Sequence, residues 1–287
     1  MCKFINLQDR AVKFEDTEGF SILLYINVFS QGPGTVYIRS DYKNDIAIDK
    51  FCSFESKTDN NGHFANFEGQ INSTINQGSI QNGGNDNTFY GMVYQRNCYA
   101  MLSKTNISNC ISKVGTAFNY NNEHGSESDS TVNVSFCNLQ NLFANYKVSE
   151  YDHFGGVFER CNYINNTHND EDGYWALFYV AYCNVQISDS VFLDNLQNKP
   201  NPKLFATHYA QLDIIRCNID DDSNWDEFVI TDAQKTEPFK NDLTFVILSP
   251  CEGVILSSKE NNKCSIYTCA NFIIGKDFVP VLLISQH

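Results

Sequence analysis

The chain has 287 residues and a formal charge of −14, with 20 Lys and Arg against 34 Asp and Glu. A surface this acidic repels phosphate, and no Lys/Arg cluster offsets it, so neither nucleic acid nor an anionic membrane face is an expected partner. Hydrophobic residues make up 42%, enough for a sizeable core, and Phe, Tyr, Ile and Val outweigh Ala and Met, which favours strands over helices.

Residues 1 to 20 carry charges at Lys3, Asp9, Arg10, Lys13, Glu15 and Asp16, and lack the apolar core of a signal peptide. Ser21 to Val28 and Thr35 to Ile38 read as strands around the turn Gln31-Gly-Pro-Gly34. The region 1–44 is expected to be a first coil or an N-terminal cap. The longest apolar stretches, Phe20 to Phe29 and Phe278 to Ile284, are too short to span a bilayer. The expectation is a cytosolic chain, or a fragment of a longer protein displayed at a cell surface.

From residue 45 to 230 a weak repeat runs through the chain: apolar, two residues, a small residue, one residue, apolar. Its copies are Ile75-Asn-Gln-Gly78-Ser-Ile80, Val134-Ser-Phe-Cys137-Asn-Leu139, Phe158-Glu-Arg-Cys161-Asn-Tyr163, Ile187-Ser-Asp-Ser190-Val-Phe192 and Ile214-Ile-Arg-Cys217-Asn-Ile219. Cys52 and Cys110 mark two looser copies. The small positions recur every 24 to 32 residues, about 27 on average. A period in the twenties signals a repeat architecture. A second apolar run precedes each marked strand, as in Gly91 to Tyr94, Gly155 to Phe158 and Trp175 to Phe178, and polar loops such as 119–130 and 165–173 lie between.

Two or three short strands per coil of roughly 27 residues describe a parallel β-helix. The expected fold is therefore all-β: a right-handed solenoid of about 8 coils in one domain, with 231–287 as the last coils. Thr244 to Leu248, Gly253 to Leu256 and Ser265 to Thr268 read as strands there. Residues at equal coil positions stack at about 4.8 Å. Cys52, Gly78, Cys110, Cys137, Cys161, Ser190 and Cys217 should then form one inward corner ladder. The Asn beside the small residue suits the left-handed corner backbone and bonds the next coil. Stacked cysteines have similar side-chain directions that orient the sulfurs poorly for bonding, so free thiols are expected. No CxxC or nearby His suggests a zinc site among the eleven cysteines.

The repeat unit resembles those of right-handed β-helix proteins of the pectin-lyase-like class. Gly155-Gly-Val-Phe158, Tyr163-Ile-Asn-Asn166 and Phe192-Leu-Asp-Asn195 are similar to the GGxΦ and FxxN units of polymorphic outer-membrane-type surface proteins. The Asn-, Ile-, Phe- and Cys-rich chain also resembles β-helix surface families of parasitic protists. This resemblance implies surface display and contact with host molecules or glycans.

Candidate chemistry is sparse. Asp220-Asp-Asp222-Ser-Asn-Trp225 is the densest acidic group, with an aromatic able to stack on a sugar; it resembles a calcium loop only in part, because Trp225 stands where the turn needs glycine. Asp172, Tyr174 and Trp175 form a second acidic-aromatic loop. Each loop reads first as a solvated connection between coils, and only second as a ligand site. Together they would make an acidic groove that binds a glycan, with calcium as a candidate ion and no other cofactor expected. His124, His153 and His208 fall at similar distances after their corners and share a face if the coils are regular. Asn72, Asn106, Asn133 and Asn165 head glycosylation sequons. No catalytic set emerges. The expectation is a non-enzymatic surface or scaffold protein that binds a protein or glycan along one flank. The alternative is a polysaccharide lyase or glycoside hydrolase using carboxylates from neighbouring coils.

Overall fold

A computed structural model describes residues 2–5, 10–15, 19–30, 32, 35–58, 62–87, 89–122, 131–169, 175–195, 203–220, 230–231 and 237–243. Among these residues there are strands and turns and no helix. The strands stack in parallel as a β-solenoid of about 7 turns. The expected strands of the last coils, beyond residue 243, lie outside the described residues.

Each regular turn has three flat faces. The first contains 21–25, 45–49, 72–76, 99–103, 132–135, 156–159, 184–188 and 211–215 in parallel register. The second contains 2–5, 27–30, 51–54, 78–81, 105–108, 138–140, 162–164, 191–193 and 218–219. The third contains 12–15, 36–40, 65–69, 93–96, 118–121, 149–152, 178–181 and 205–208. The N-terminal strands thus join the same columns as the later coils.

Strand alternation fills the interior. On the first face Leu24, Ile48, Ile75, Leu102, Val134, Phe158, Ile187 and Ile214 form one buried column. Phe118, Phe158, Phe178, Phe192 and Phe205 pack edge-to-face or tilted across the three faces in the C-terminal half. Each such side chain contributes about 1.5–3 kcal/mol on burial. Gly155-Gly156 has a steric origin: a Cβ on Gly156 would lie 2.0 Å from the carbonyl oxygen of Val132 in the preceding coil.

The corners carry the backbone cost. Every non-glycine residue of positive φ among the described residues sits at a corner, with φ between 47° and 60°. Lys50, Gln77, Lys104, Phe136, Arg160, Asp189 and Arg216 make the first corner; Glu55, Asn82, Asn109, Asn141, Asn165 and Asp194 make the second. Asn97, His153, Tyr182 and Tyr209, together with Gly69, make the third. Amides just after these bends reach side chains of the next coil. Cys137 N–H donates to Cys161 Sγ (3.3 Å), Cys161 N–H to Ser190 Oγ (3.1 Å) and Gly83 N–H to Cys110 Sγ (3.4 Å). The same thiols and hydroxyls donate to carbonyls two residues earlier, as Cys161 does to Glu159 (3.1 Å) and Ser190 to Ser188 (2.9 Å).

At the second corner, asparagine does this work. Asn166 Oδ1 accepts from Leu142 N–H and Asn195 Oδ1 from Asn166 N–H, both at 3.0 Å, while the two side-chain amides donate to Leu139 and Tyr163 carbonyls. The aromatic-xxN units are therefore an inward aromatic, a left-handed residue and a bridging asparagine.

This geometry amends the expected ladder. The register aligns Gly78, Cys137, Cys161, Ser190 and Cys217 in one column, together with Phe51 and Thr105. Cys52 pairs with Ser79, one residue further on, and Cys110 follows the second corner. The common factor is local. Cys98, Cys110, Cys137, Cys161, Cys183 and Cys217 each follow a left-handed residue, whichever corner that is. The Asn after the cysteine is extended; the left-handed residue is the one before it. Those six thiols are free. Burial pushes Cys110 and Cys183 up to about 12 and Cys217 to about 11. Cys52, off the pattern, is disulfide-bonded, contrary to the expectation of free thiols at the corner positions.

Cys161→Ser should keep both bonds and stay within about 1 kcal/mol of the parent, whereas Cys161→Ala leaves the Cys137 amide buried without its acceptor and should cost about 2 kcal/mol. Urea unfolding of the two variants checks the difference.

Candidate interaction surface

Of the residues expected to bind a ligand, Asp172, Tyr174, Asp222 and Trp225 lie outside the described residues. Trp175 and Asp220 are described, and both make structural contacts. Asp220 Oδ2 accepts the corner amide of Asp194 at 2.5 Å. Trp175 packs on the outside of the third face, edge-on to Tyr179 with ring centroids 5.1 Å apart, beside Ala176, Ala181 and Ala206.

This outer cluster covers an ion pair. Lys147 Nζ lies 4.0 Å from the Trp175 ring centre and 4.3 Å from that of Tyr179. It pairs with Glu150, whose other oxygen accepts from Asn119 Nδ2. Both charged side chains are nearly buried, at 9% and 6% exposure. Burial pushes the Glu150 carboxyl up, against the pull of the ammonium. The cluster is thus closed on itself: its cation already occupies the aromatic faces.

Loss of Lys147 should cost about 3–5 kcal/mol, because it strands a buried carboxylate. A carboxyl raised by burial binds its proton more tightly folded than unfolded, so its contribution to stability falls as pH rises from about 4.5. Lys147→Met should steepen that fall, and adding Glu150→Gln should flatten it, as read from urea midpoints between pH 4 and pH 8.

The third corner presents a different surface. His153, Tyr182 and Tyr209 occupy equivalent positions in successive coils, each at positive φ. Their rings stack along the solenoid axis, His153 on Tyr182 at 4.5 Å and Tyr182 on Tyr209 at 5.6 Å, both at 20°. His208 Nε2 is 2.9 Å from the Tyr182 hydroxyl, and His153 Nδ1 is 2.7 Å from Asp152 Oδ1. Tyr182 is 47% exposed and Tyr209 81%. Two of the three histidines noted in the sequence therefore converge on one tyrosine, and His124 lies outside the described residues. The stack itself was hidden in the sequence. Its only signal is a bulky residue just before Cys183 and Ala210, where Asn97 precedes Cys98.

The rings are not needed to turn the chain. Gly69 and Asn97 hold the same corner in earlier coils. Bulky residues at positive φ are disfavoured, by about 1 kcal/mol or more, whereas Gly and Asn tolerate it.

Elsewhere, no group of three or more His, Cys, Asp or Glu among the described residues has metal-site geometry. Nor is any helix there long and apolar enough to cross a membrane. Of the sequons, Asn106 is fully buried and donates to Ser79 and Ser108, which shields it in the folded chain, while exposed Asn165 donates to Asn141. No family model matches this chain, and neither does any curated protein or solved structure.

Proposed function

We propose that this chain is a non-enzymatic surface or scaffold protein that binds a protein or glycan partner along one flank, and that the flank is the third corner. One observation carries this reading: exposed rings are stacked at a corner that the same fold closes elsewhere with glycine or asparagine. Tyrosine supplies contact area at low entropic cost and is enriched at interfaces. Within the stack the ring faces cover one another, so a partner meets ring edges, hydroxyls and the outer face of Tyr209. The resemblance to pectin-lyase-like and polymorphic outer-membrane-type repeats supports surface display. The hand is read as right, as parallel crossovers nearly always are.

The test is a panel of polysaccharides and cell surfaces, with and without calcium, scored for retention and for cleavage. Retention by the parent chain is expected, with no cleavage products. Tyr182→Asn/Tyr209→Asn should melt no lower than the parent and lose about tenfold or more in retention. Equal retention by this variant would remove the third corner from the reading. Cleavage would turn attention to Asp172, Asp220 and Asp222 as an enzyme's carboxylates.

A further inference from the structure

Outside the second face, Asn106, Asn138, Asn162 and Asn218 stand in one outward column, interrupted by Val191. Towards the N-terminus this column satisfies itself: Asn138 Nδ2 donates to Asn106 Oδ1 (2.8 Å) and Asn106 Nδ2 to Ser79 Oγ (3.2 Å). At Asn162 the partner changes. Its Nδ2 donates to the Asn241 carbonyl (3.0 Å), and its Oδ1 accepts from the Asn241 amide (3.2 Å). Asn218 Nδ2 donates to the Phe239 carbonyl at 2.6 Å. A side-chain amide here does what a neighbouring strand does: it offers one donor and one acceptor to a passing backbone.

Most of these bonds read the backbone of segment 237–243, so they tolerate many sequences. Asn241 is the specific element. Its Nδ2 reaches the corner carbonyls of Cys161 (3.2 Å) and Asp189 (3.0 Å), bridging two coils. Between the segment and the first corner lies an open hollow of about 750 Å³, lined by Arg160, Asp189, Arg216, Glu237, Phe239 and Asn241. Asp189 is engaged bidentately by Arg216, at 2.8 and 2.7 Å. Glu237 lines the same hollow as Arg160 and Arg216.

We infer that the outer side of the second face is a binding groove for an extended peptide strand, filled in cis by residues 237–243. The ligand class is a peptide read through its backbone, with an Asn at the position of Asn241. The inference is independent of the third corner, which faces another edge of the coil.

The experiment uses the full chain and a labelled, end-blocked peptide of residues 237–243. Trypsin cleavage after exposed Lys240 reports release of the segment, and fluorescence anisotropy reports peptide capture. The parent should be cut slowly and should bind no peptide, because the groove is filled. Asn241→Ala should be cut about tenfold faster and should capture the peptide. Asn162→Ala/Asn241→Ala should be cut as fast and capture nothing, and Asn218→Ala/Asn241→Ala gives a second route to that result should the first variant fold poorly. Cleavage of Asn241→Ala at the parent rate would overturn the inference. So would fast cleavage without capture, or equal capture by either double variant.

Discussion

A parallel solenoid must bend its backbone at each corner, and the amide after the bend leaves the ladder that pairs one coil with the next. The rest of this structure depends on how that amide is satisfied. A thiol, hydroxyl or carboxamide from the next coil accepts its hydrogen and donates to a nearby carbonyl, closing the ladder across the corner. An unsatisfied buried amide is among the costlier defects a protein can carry. The bridging side chains are Cys, Ser and Asn, while the left-handed residue beside them varies from Arg and Asp to Phe and Asn, and coils with Phe51, Gly78 or Leu142 at that place form no such side-chain bridge.

That division of labour frees the outward positions. At the first corner the left-handed residues include Arg160, Asp189 and Arg216, which face segment 237–243. At the second they form an exposed asparagine ladder, Asn109 to Asn165, bonded at 3.0 and 2.7 Å. At the third they become a stack of rings. The scaffold is the same in each case, and what it presents changes coil by coil because the corner side chain points to solvent. Function in such a fold is a property of the stacked column, since neighbours in space are about 27 residues apart in sequence.

Glycine at 78 shows how tightly the columns constrain one another. A Cβ there would lie 2.3 Å from the ring of Phe51, which sits directly above in the same column and stacks on Phe64 at 4.5 Å. At this position of the column the side chain is large in one coil and minimal in the next. Interior packing is felt across the coil spacing, so a substitution in one turn is judged by its neighbours above and below.

The repeat period, the strand alternation and the small corner residues were legible in the sequence because each is set by local backbone geometry: side chains alternate along a strand, and a short polar side chain just after a bend can bond the amides and carbonyls there. The parallel stack follows from them. The shared column of Gly78, Cys137, Cys161, Ser190 and Cys217 was legible too, but the exclusion of Cys52 and Cys110 from it was not, because three corners use the same Cys-after-bend rule and only register separates Cys110 from Cys137. The ring stack at His153, Tyr182 and Tyr209, the Lys147–Glu150 pair under Trp175 and the Asn162 bonds to segment 237–243 join residues distant in sequence. Tertiary structure alone decided those, since coil registration brings such residues within contact distance and no local pattern encodes it.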